Sequence, residues 1–140
     1  MGKVIAYTDG SFTDVDKPII GWAYVILDEE ENIIHQDSGK IDDRWLDHRN
    51  ITGECKAVVE ALDWCENNGH TEVDFYIDYI GCKHWAEKTW KTKNEMTIAY
   101  QGYVTTSPIL KGLTFTHVKG HSGNKFNDMV DVMAREAMKG

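Results

Sequence analysis

The sequence predicts an α/β domain built around one mixed five-stranded sheet. Apolar runs alternate with short polar turns at the start of the chain, a helical pattern follows, and each later apolar run is preceded by a helical segment. Strands joined by short turns are antiparallel, whereas strands joined through a helix are parallel. The order β-β-β-α-β-α-α-β-α therefore indicates three antiparallel strands, two parallel additions and flanking helices.

The first three strands are predicted from apolar runs between turn residues. The runs are rich in β-branched and aromatic side chains, and they span residues 3–9, 20–28 and 33–39. Gly10-Ser11 and the polar segment 13–18 predict a turn after the first run, and residues 29–32 predict a second turn. We expect these strands to form an antiparallel meander.

A helical pattern then runs from about Thr52 to Asn68. Apolar side chains recur there at helical spacing, and Gly69 marks the end; the apolar positions are Val58, Ala61, Leu62 and Cys65, with Ala57 widening the same face. The helix separates the first strand from the next apolar run, so we expect those two strands to be parallel.

The second half of the chain supplies two further strands and three further helices. The strands are predicted at Val73–Ile77 and Leu113–Val118, and the helices at Ile80–Lys88, Asn94–Thr105 and Asn127–Lys139. Asn94 has the residue type expected of a helix N-cap.

Length and composition predict one globular domain over residues 1–140, and a monomer is the default expectation. The chain has 41% hydrophobic residues, and no apolar run approaches the ~20 residues that span a bilayer. The N-terminus lacks a signal-peptide pattern, so we expect a cytoplasmic protein and no membrane partner. The three cysteines lack paired metal-binding spacing, which favours reduced thiols over zinc ligands or a disulfide framework.

The charge is distributed unevenly along the chain. The net charge is −8, with 6 basic and 17 acidic residues over 1–77 (net −11) and 9 basic and 6 acidic over 78–140 (net +3). The basic residues of the second part include Lys88, Lys91, Lys93, Lys119 and Lys125. These lysines fit either a positive face for a polyanion or ordinary solvated surface, and the sequence leaves both readings open.

Four acidic residues lie in settings that aim them at one point. Asp9 and Asp78 each end an apolar run, Glu54 lies in the opening turn of the first predicted helix, and Asp131 lies in the first turns of the last helix. Clustered carboxylates repel one another, so a fold that gathers them needs cations between them. Asp128, on the same helical face as Asp131, is an alternative fourth ligand.

Four motifs in order carry a resemblance over nearly the whole chain. They are Thr8-Asp9-Gly10-Ser11, Gly53-Glu54 followed by Ala57, Asp78 at a strand end, and the segment 117–123 (His-Val-Lys-Gly-His-Ser-Gly) followed by Asn127 and Asp131. In these elements the chain resembles type 1 ribonuclease H, and the stretch from Asp78 to Lys91 resembles a bacterial and phage subgroup. The resemblance implies a ribonuclease H-like fold and an endonuclease that hydrolyses the RNA strand of RNA/DNA hybrids.

The resemblance also implies roles for individual residues. Asp9, Glu54, Asp78 and Asp131 would coordinate two Mg²⁺ ions, with Asp9 bridging them, and Mn²⁺ should substitute. Spacing from the histidine motif favours Asp131 over Asp128 as the family's ligand. His121 would transfer a proton or assist product release near the leaving group, and the products would carry 5′-phosphate and 3′-hydroxyl ends.

Substrate contacts are expected around these ligands. Asn50 matches a family position that contacts the minor groove of the hybrid, and Arg49 stands where relatives often carry a phosphate-binding Thr. Gly10, Ser11 and the Gly53 backbone would approach the RNA, and Asn127 belongs to the closing motif. Two rival readings remain: a hybrid-binding module without catalysis, and a domain cut from a reverse transcriptase.

Two tryptophans near the basic residues have alternative roles. Trp85 and Trp90 lie beside Lys88, Lys91 and Lys93, a mixture that suits contact with a DNA backbone. Packing of its own helix on the sheet is the favoured reading for Trp85. Core packing is likewise the reading for Trp22, Tyr24, Ile26, Ala57 and Leu62.

Overall fold

The structure is a computed structural model that describes residues 2–118 and 123–139. The strands and helices follow the predicted order along the chain. The strands are β1 (Val4–Thr13), β2 (Ile19–Leu27), β3 (Ile33–Ile41), β4 (Val73–Ile77) and β5 (Leu113–His117). The helices are α1 (Asn50–Asn67), α2 (Gly81–Ala86), α3 (Glu95–Thr105) and α4 (Lys125–Ala137).

The five strands form one mixed sheet in the order β3-β2-β1-β4-β5. Antiparallel pairing joins β1 to β2 and β2 to β3, and parallel pairing joins β1 to β4 and β4 to β5. Helix α1 connects the meander to β4, which is why β4 lies parallel to β1. The predicted fold class is therefore confirmed.

The turn predicted at Gly10-Ser11 is wrong, because β1 continues to Thr13. Gly10 pairs with Trp22 and Ser11 with Gly21, so the hairpin with β2 extends well beyond the apolar run. Polar side chains are accommodated here because residues 10–13 are only half buried. Asp9 consequently lies inside β1 rather than at its end.

Two helices also begin earlier than the sequence indicated. Helix α1 starts at Asn50, which moves Glu54 from the opening turn into the second turn. Helix α4 starts at Lys125, where the Asn124 side chain accepts hydrogen bonds from the first free N–H groups. The Asn94 N-cap of α3 is confirmed, and it forms a reciprocal capping box with Thr97.

The sheet is covered on both faces. Helix α1 packs against one face through the predicted apolar positions, which are fully buried together with Phe75 of β4. Helix α4 covers the other face, where Val130 and Ala134 pack on Ala23 and Val25 of β2. The side chains expected in the core are buried there: Trp22, Tyr24, Ile26, Ala57 and Leu62.

Within the described ranges, none of the helices has the length and apolar content needed to cross a bilayer.

Candidate active site

Three carboxylates from different elements meet at one edge of the sheet. Asp9 and Asp78 lie just beyond the last parallel pair of β1 and β4, Tyr7 with Tyr76. Glu54 reaches the same point from α1. One oxygen from each of the three carboxylates lies within 4.8 Å of the others. The structure thus brings together three of the four predicted acidic ligands.

Close backbone contacts between α1 and the sheet position Glu54 beside Asp9 and Asp78. A Cβ atom on Gly10 would lie 2.3 Å from the Glu54 backbone nitrogen, and one on Gly53 would lie 2.4 Å from the Gly21 carbonyl oxygen. Such distances exclude any side chain at Gly10 or Gly53. The first turns of α1 therefore rest directly on β1 and β2, and the predicted RNA-contact residues Gly10 and Gly53 have a packing role that sequence reasoning missed.

Burial dominates the electrostatics of the cluster. Asp9 is 5% exposed and Glu54 is 1% exposed. Burial raises the pKa of Asp9 to about 6, and the Asp78 and Asp131 charges add to this increase. A hydrogen bond with Glu54 and one from the Gly10 N–H, 2.8 Å from Asp9 Oδ1, act in the opposite direction. Burial, followed by the Asp9 charge, raises the pKa of Glu54 well above its ordinary value.

The donor set fits a hard divalent cation. The Glu54 Oε2 atom is buried, and none of the residues that the structure describes donates a hydrogen bond to it, although a buried carboxylate oxygen without a partner is costly. All the ligand atoms are carboxylate oxygens, which suit Mg²⁺ and Mn²⁺. A cation here would give this oxygen a partner and offset the repulsion that, in addition to burial, raises the pKa values of Asp9 and Glu54.

Asp131 lies beside this cluster in the second turn of α4. Its charge contributes to the raised pKa of Asp9, which places it within electrostatic range. Its carboxylate also forms an ion pair with Arg135, at 3.1 Å between Oδ2 and Nη2. Asp128 lies in the first turn of α4 and is exposed.

A hydrogen bond from His117, a residue to which sequence reasoning assigned no role, joins the end of β5 to the backbone of Asp78. The His117 ring donates from Nε2 to the backbone oxygen of Asp78 at 2.8 Å, and the Val118 N–H donates to the Ile77 oxygen at 2.7 Å. The sequence places His117 at the start of the 117–123 motif but predicts no role for it. The predicted catalytic His121 lies outside the described residues.

The predicted substrate-contact residues occupy different environments. Arg49 and Asn50 are exposed at the start of α1, and the Arg49 guanidinium lies 5.7 Å from the centre of the Phe12 ring. Ser11 is half buried on β1, two residues from Asp9. Asn127 is only 4% exposed, and its backbone N–H donates to the Asn124 side chain.

A groove of about 550 Å³ lies next to this edge, lined by aromatic and basic side chains that include Lys91 and Lys93. Trp85, 7% exposed, belongs to the core and contacts Tyr100, which confirms the packing reading for this residue. Trp90 is 39% exposed, and its ring stacks on His84 with 4.6 Å between centroids. Trp90 and the lysines therefore present an aromatic and cationic surface to solvent.

Comparison with known proteins assigns the family. The profile of the RNase H family matches residues 1–139. The chain belongs to the RNase H family. A relative from Ruthia magnifica subsp. Calyptogena magnifica, named Ribonuclease H, is 30% identical over 153 aligned residues, which cover 99% of this chain and 97% of the relative.

Solved structures agree on the fold. RNase H1 from the archaeon Halobacterium salinarum NRC-1 superposes with a TM-score of 0.79 at 20% identity, covering 99% of this chain and 98% of the other. LC11-RNase H1, isolated from compost by a metagenomic approach, gives a TM-score of 0.79 at 22% identity in its complex with an RNA/DNA hybrid, covering 97% and 96%. These matches place the sheet and helices of this chain in the RNase H fold.

Proposed function

We propose that this RNase H family protein is an endonuclease that hydrolyses the RNA strand of RNA/DNA hybrids with the help of two divalent metal ions. The observation that carries the proposal is the convergence of the Asp9, Glu54 and Asp78 carboxylates, with a buried Glu54 oxygen that receives no hydrogen bond from the described part of the chain. A protein that only binds nucleic acid has no use for such repulsion between carboxylates. Family membership and the hybrid seen with LC11-RNase H1 support the choice of substrate.

Asp9, Glu54, Asp78 and Asp131 are the residues that would hold the ions, Mg²⁺ or Mn²⁺. Bound ions of this kind supply activation of water at neutral pH and stabilisation of charge on a phosphate and its leaving oxygen. Asp9 is central in this arrangement, because it is hydrogen-bonded to Glu54 and is within electrostatic range of both Asp78 and Asp131. Asp9 would therefore be the central ligand of this set.

Asp131 is assigned as the fourth ligand in preference to Asp128. The Asp131 charge acts on Asp9, whereas Asp128 is exposed one turn earlier. The ion pair with Arg135 limits the side-chain freedom of Asp131. We propose that it closes the metal site from the α4 side once the ions bind.

We assign His121 the task of moving a proton at the departing 3′ oxygen, since histidine titrates near neutral pH. Breaking the bond between phosphorus and this 3′ oxygen leaves 5′-phosphate and 3′-hydroxyl ends. Arg49, Asn50 and Ser11 would contact the hybrid beside the cleaved phosphate, and Asn127 would support that edge from within α4. The Trp90 surface with Lys91 and Lys93 is a candidate contact for the DNA strand.

A cleavage panel tests the proposal. The wild-type protein is incubated with labelled RNA/DNA hybrid, single-stranded RNA and double-stranded RNA, with Mg²⁺ or with a chelator. We expect cleavage of the hybrid alone, only with the metal, and loss of that cleavage in Asp9→Asn. The matched variant Asp128→Asn, which removes an exposed carboxylate, should keep its activity.

Three results would overturn the assignment: equal cleavage of all three substrates, full activity in the chelator, or an active Asp9→Asn protein. Hybrid binding without any cleavage would favour the rival reading of a binding module. End analysis of the products with a phosphatase and a 3′-labelling reaction tests the assigned chemistry separately.

A further inference from the structure

Two cysteine side chains meet directly behind the carboxylate cluster. The Sγ atoms of Cys55 and Cys82 are 4.0 Å apart, and neither residue is part of a disulfide. Cys55 follows Glu54 on α1, whereas Cys82 lies in the first turn of α2, which begins shortly after Asp78. The third cysteine, Cys65, is also free and buried on α1. The thiol pair therefore joins α1, which carries Glu54, to α2, which begins three residues after Asp78.

A cavity reaches one member of the pair. A space of about 180 Å³ between α1, α3 and the segment after β3 has Cys55 in its wall, together with the apolar side chains of Ile41, Val59 and Met96. A molecule of liquid water occupies roughly 30 Å³, so this cavity has room for an oxidant of similar size. Cys82 is fully buried behind Cys55.

We propose that Cys55 and Cys82 form an oxidation site that takes a small peroxide and closes to a disulfide, which lowers hybrid cleavage. The site stands on the facing sulfur atoms and on the cavity that leads to one of them. Its effect on cleavage rests on the proposed function, whereas formation of the disulfide does not.

The chemistry balances with hydrogen peroxide as the oxidant. The Cys55 sulfur attacks one peroxide oxygen and the O–O bond breaks, so that one oxygen remains as a sulfenic acid and the other leaves as water with the thiol proton. The Cys82 sulfur then attacks the Cys55 sulfur, the S–O bond breaks, and a second water leaves with the Cys82 proton. The two thiols are oxidised and the peroxide is reduced.

The order of these steps follows from access. Cys55 is 3% exposed and lines the cavity, whereas Cys82 is fully buried and does not line it. The hydrogen bond with Cys55, together with burial, raises the pKa of Cys82 well above its ordinary value. Cys55 therefore meets the peroxide first, and Cys82, the less readily ionised thiol, reacts second.

Disulfide formation displaces the carboxylates because both cysteines are coupled to them through the backbone. The two sulfur atoms must approach from 4.0 Å to about 2.05 Å. Glu54 directly precedes Cys55, and the Cys82 N–H is hydrogen-bonded to the oxygen of Tyr79, which follows Asp78. Since misplacement of a reacting group by about 1 Å can slow a reaction roughly 100-fold, we expect the disulfide to slow hybrid cleavage by roughly 10- to 100-fold.

The purified protein is treated with hydrogen peroxide, and a portion of the oxidised protein is then reduced with dithiothreitol. Peptide mapping without reduction should reveal a Cys55–Cys82 linked peptide that has lost two hydrogens, while the thiol of Cys65 remains free. Hybrid cleavage and Mn²⁺-induced thermal stabilisation should both fall, and dithiothreitol should restore them.

Matched variants separate the pair from general oxidation. Cys65→Ala removes a buried cysteine from the same helix and should respond to peroxide as the wild type does. Cys55→Ala and Cys82→Ala should keep their cleavage activity in peroxide, and the corresponding serine variants replace them if either alanine variant fails to fold.

The proposal would be overturned if the linked peptide did not form. It would also be overturned if the peptide formed while hybrid cleavage and Mn²⁺ stabilisation stayed at their values before oxidation. A protein that forms the link but never cleaves a hybrid, even before oxidation, would refute the proposed function and leave the oxidation site established.

Discussion

Replacing Asp9 by Asn should stabilise the metal-free protein while abolishing its response to metal. Asp9 is buried among other carboxylates, and an Asn of the same shape keeps an oxygen that accepts the Gly10 N–H bond. The substitution removes a charge that the metal-free fold disfavours. It also removes the carboxylate that would be the central ligand of the proposed metal site.

The size of the effect follows from the raised pKa of Asp9. The pKa rises from 3.8 to about 6, a difference of about 2. At about 1.4 kcal/mol per unit, the ionised Asp9 destabilises the metal-free fold by ~3 kcal/mol above pH 6. In a domain of 140 residues this corresponds to an increase in Tm of roughly 10 °C for Asp9→Asn.

Thermal unfolding in a chelator at pH 8, followed by circular dichroism, measures this difference. Mn²⁺ should then raise the Tm of the wild type and leave that of Asp9→Asn unchanged, because only the wild type binds the ion in its folded state. Asp128→Asn is the control and should behave as the wild type in both conditions. A metal-free Asp9→Asn protein that unfolds at a lower temperature than the wild type would refute the electrostatic reasoning.

Three further predictions concern the same edge of the sheet and the α3 cap. Because the folded-state pKa of Asp9 is raised, the metal-free fold binds more protons than the unfolded chain between about pH 4 and pH 6. Its stability should therefore decrease as pH rises through that window. Urea unfolding at several pH values measures this trend, and stability that increases with pH there would contradict it. Gly53→Ala places a Cβ 2.4 Å from the Gly21 carbonyl oxygen, so we expect the unfolding free energy to fall by about 1–3 kcal/mol and hybrid cleavage to slow. An unchanged Tm and an unchanged cleavage rate would count against this contact. Asn94→Ala removes the α3 capping box with Thr97 and should lower the unfolding free energy by about 1 kcal/mol, and equal urea midpoints for the two proteins would refute the cap.

Periodicity was enough to predict the architecture of this protein. The strand Val73–Ile77 has the predicted bounds, and the meander and the parallel addition arise from local turn lengths and an intervening helix. The sequence pattern predicts a turn at Gly10-Ser11, because these residues are small and polar, whereas the structure continues β1 through them. The continued pairing with β2 is a tertiary contact that overrides local preference.

The sequence predicts that the three grouped carboxylates converge, but it does not predict how deeply they are buried. Asp9, Glu54 and Asp78 were identified from their settings, and the structure brings them together. The depth of burial of Glu54 depends on how closely α1 approaches β1 at Gly10 and Gly53, a distance that no local pattern encodes. Packing of this kind becomes visible only in three dimensions.

The contacts behind the cluster were equally hidden from the sequence. Cys55 and Cys82 lie far apart along the chain, and their spacing matches no motif, so only the packing of α1 against α2 reveals the pair. The His117 hydrogen bond to Asp78 likewise depends on the register between β4 and β5, in which Ile77 pairs with His117.

Anomalous diffraction from Mn²⁺ tests the central claim most directly. Crystals would be grown with Mn²⁺ and an RNA/DNA hybrid whose RNA strand resists hydrolysis, and the ions located by their anomalous signal. We predict two Mn²⁺ peaks held by Asp9, Glu54, Asp78 and Asp131, with the RNA phosphate between them. Bound hybrid with no Mn²⁺ peak at these carboxylates would contradict the account.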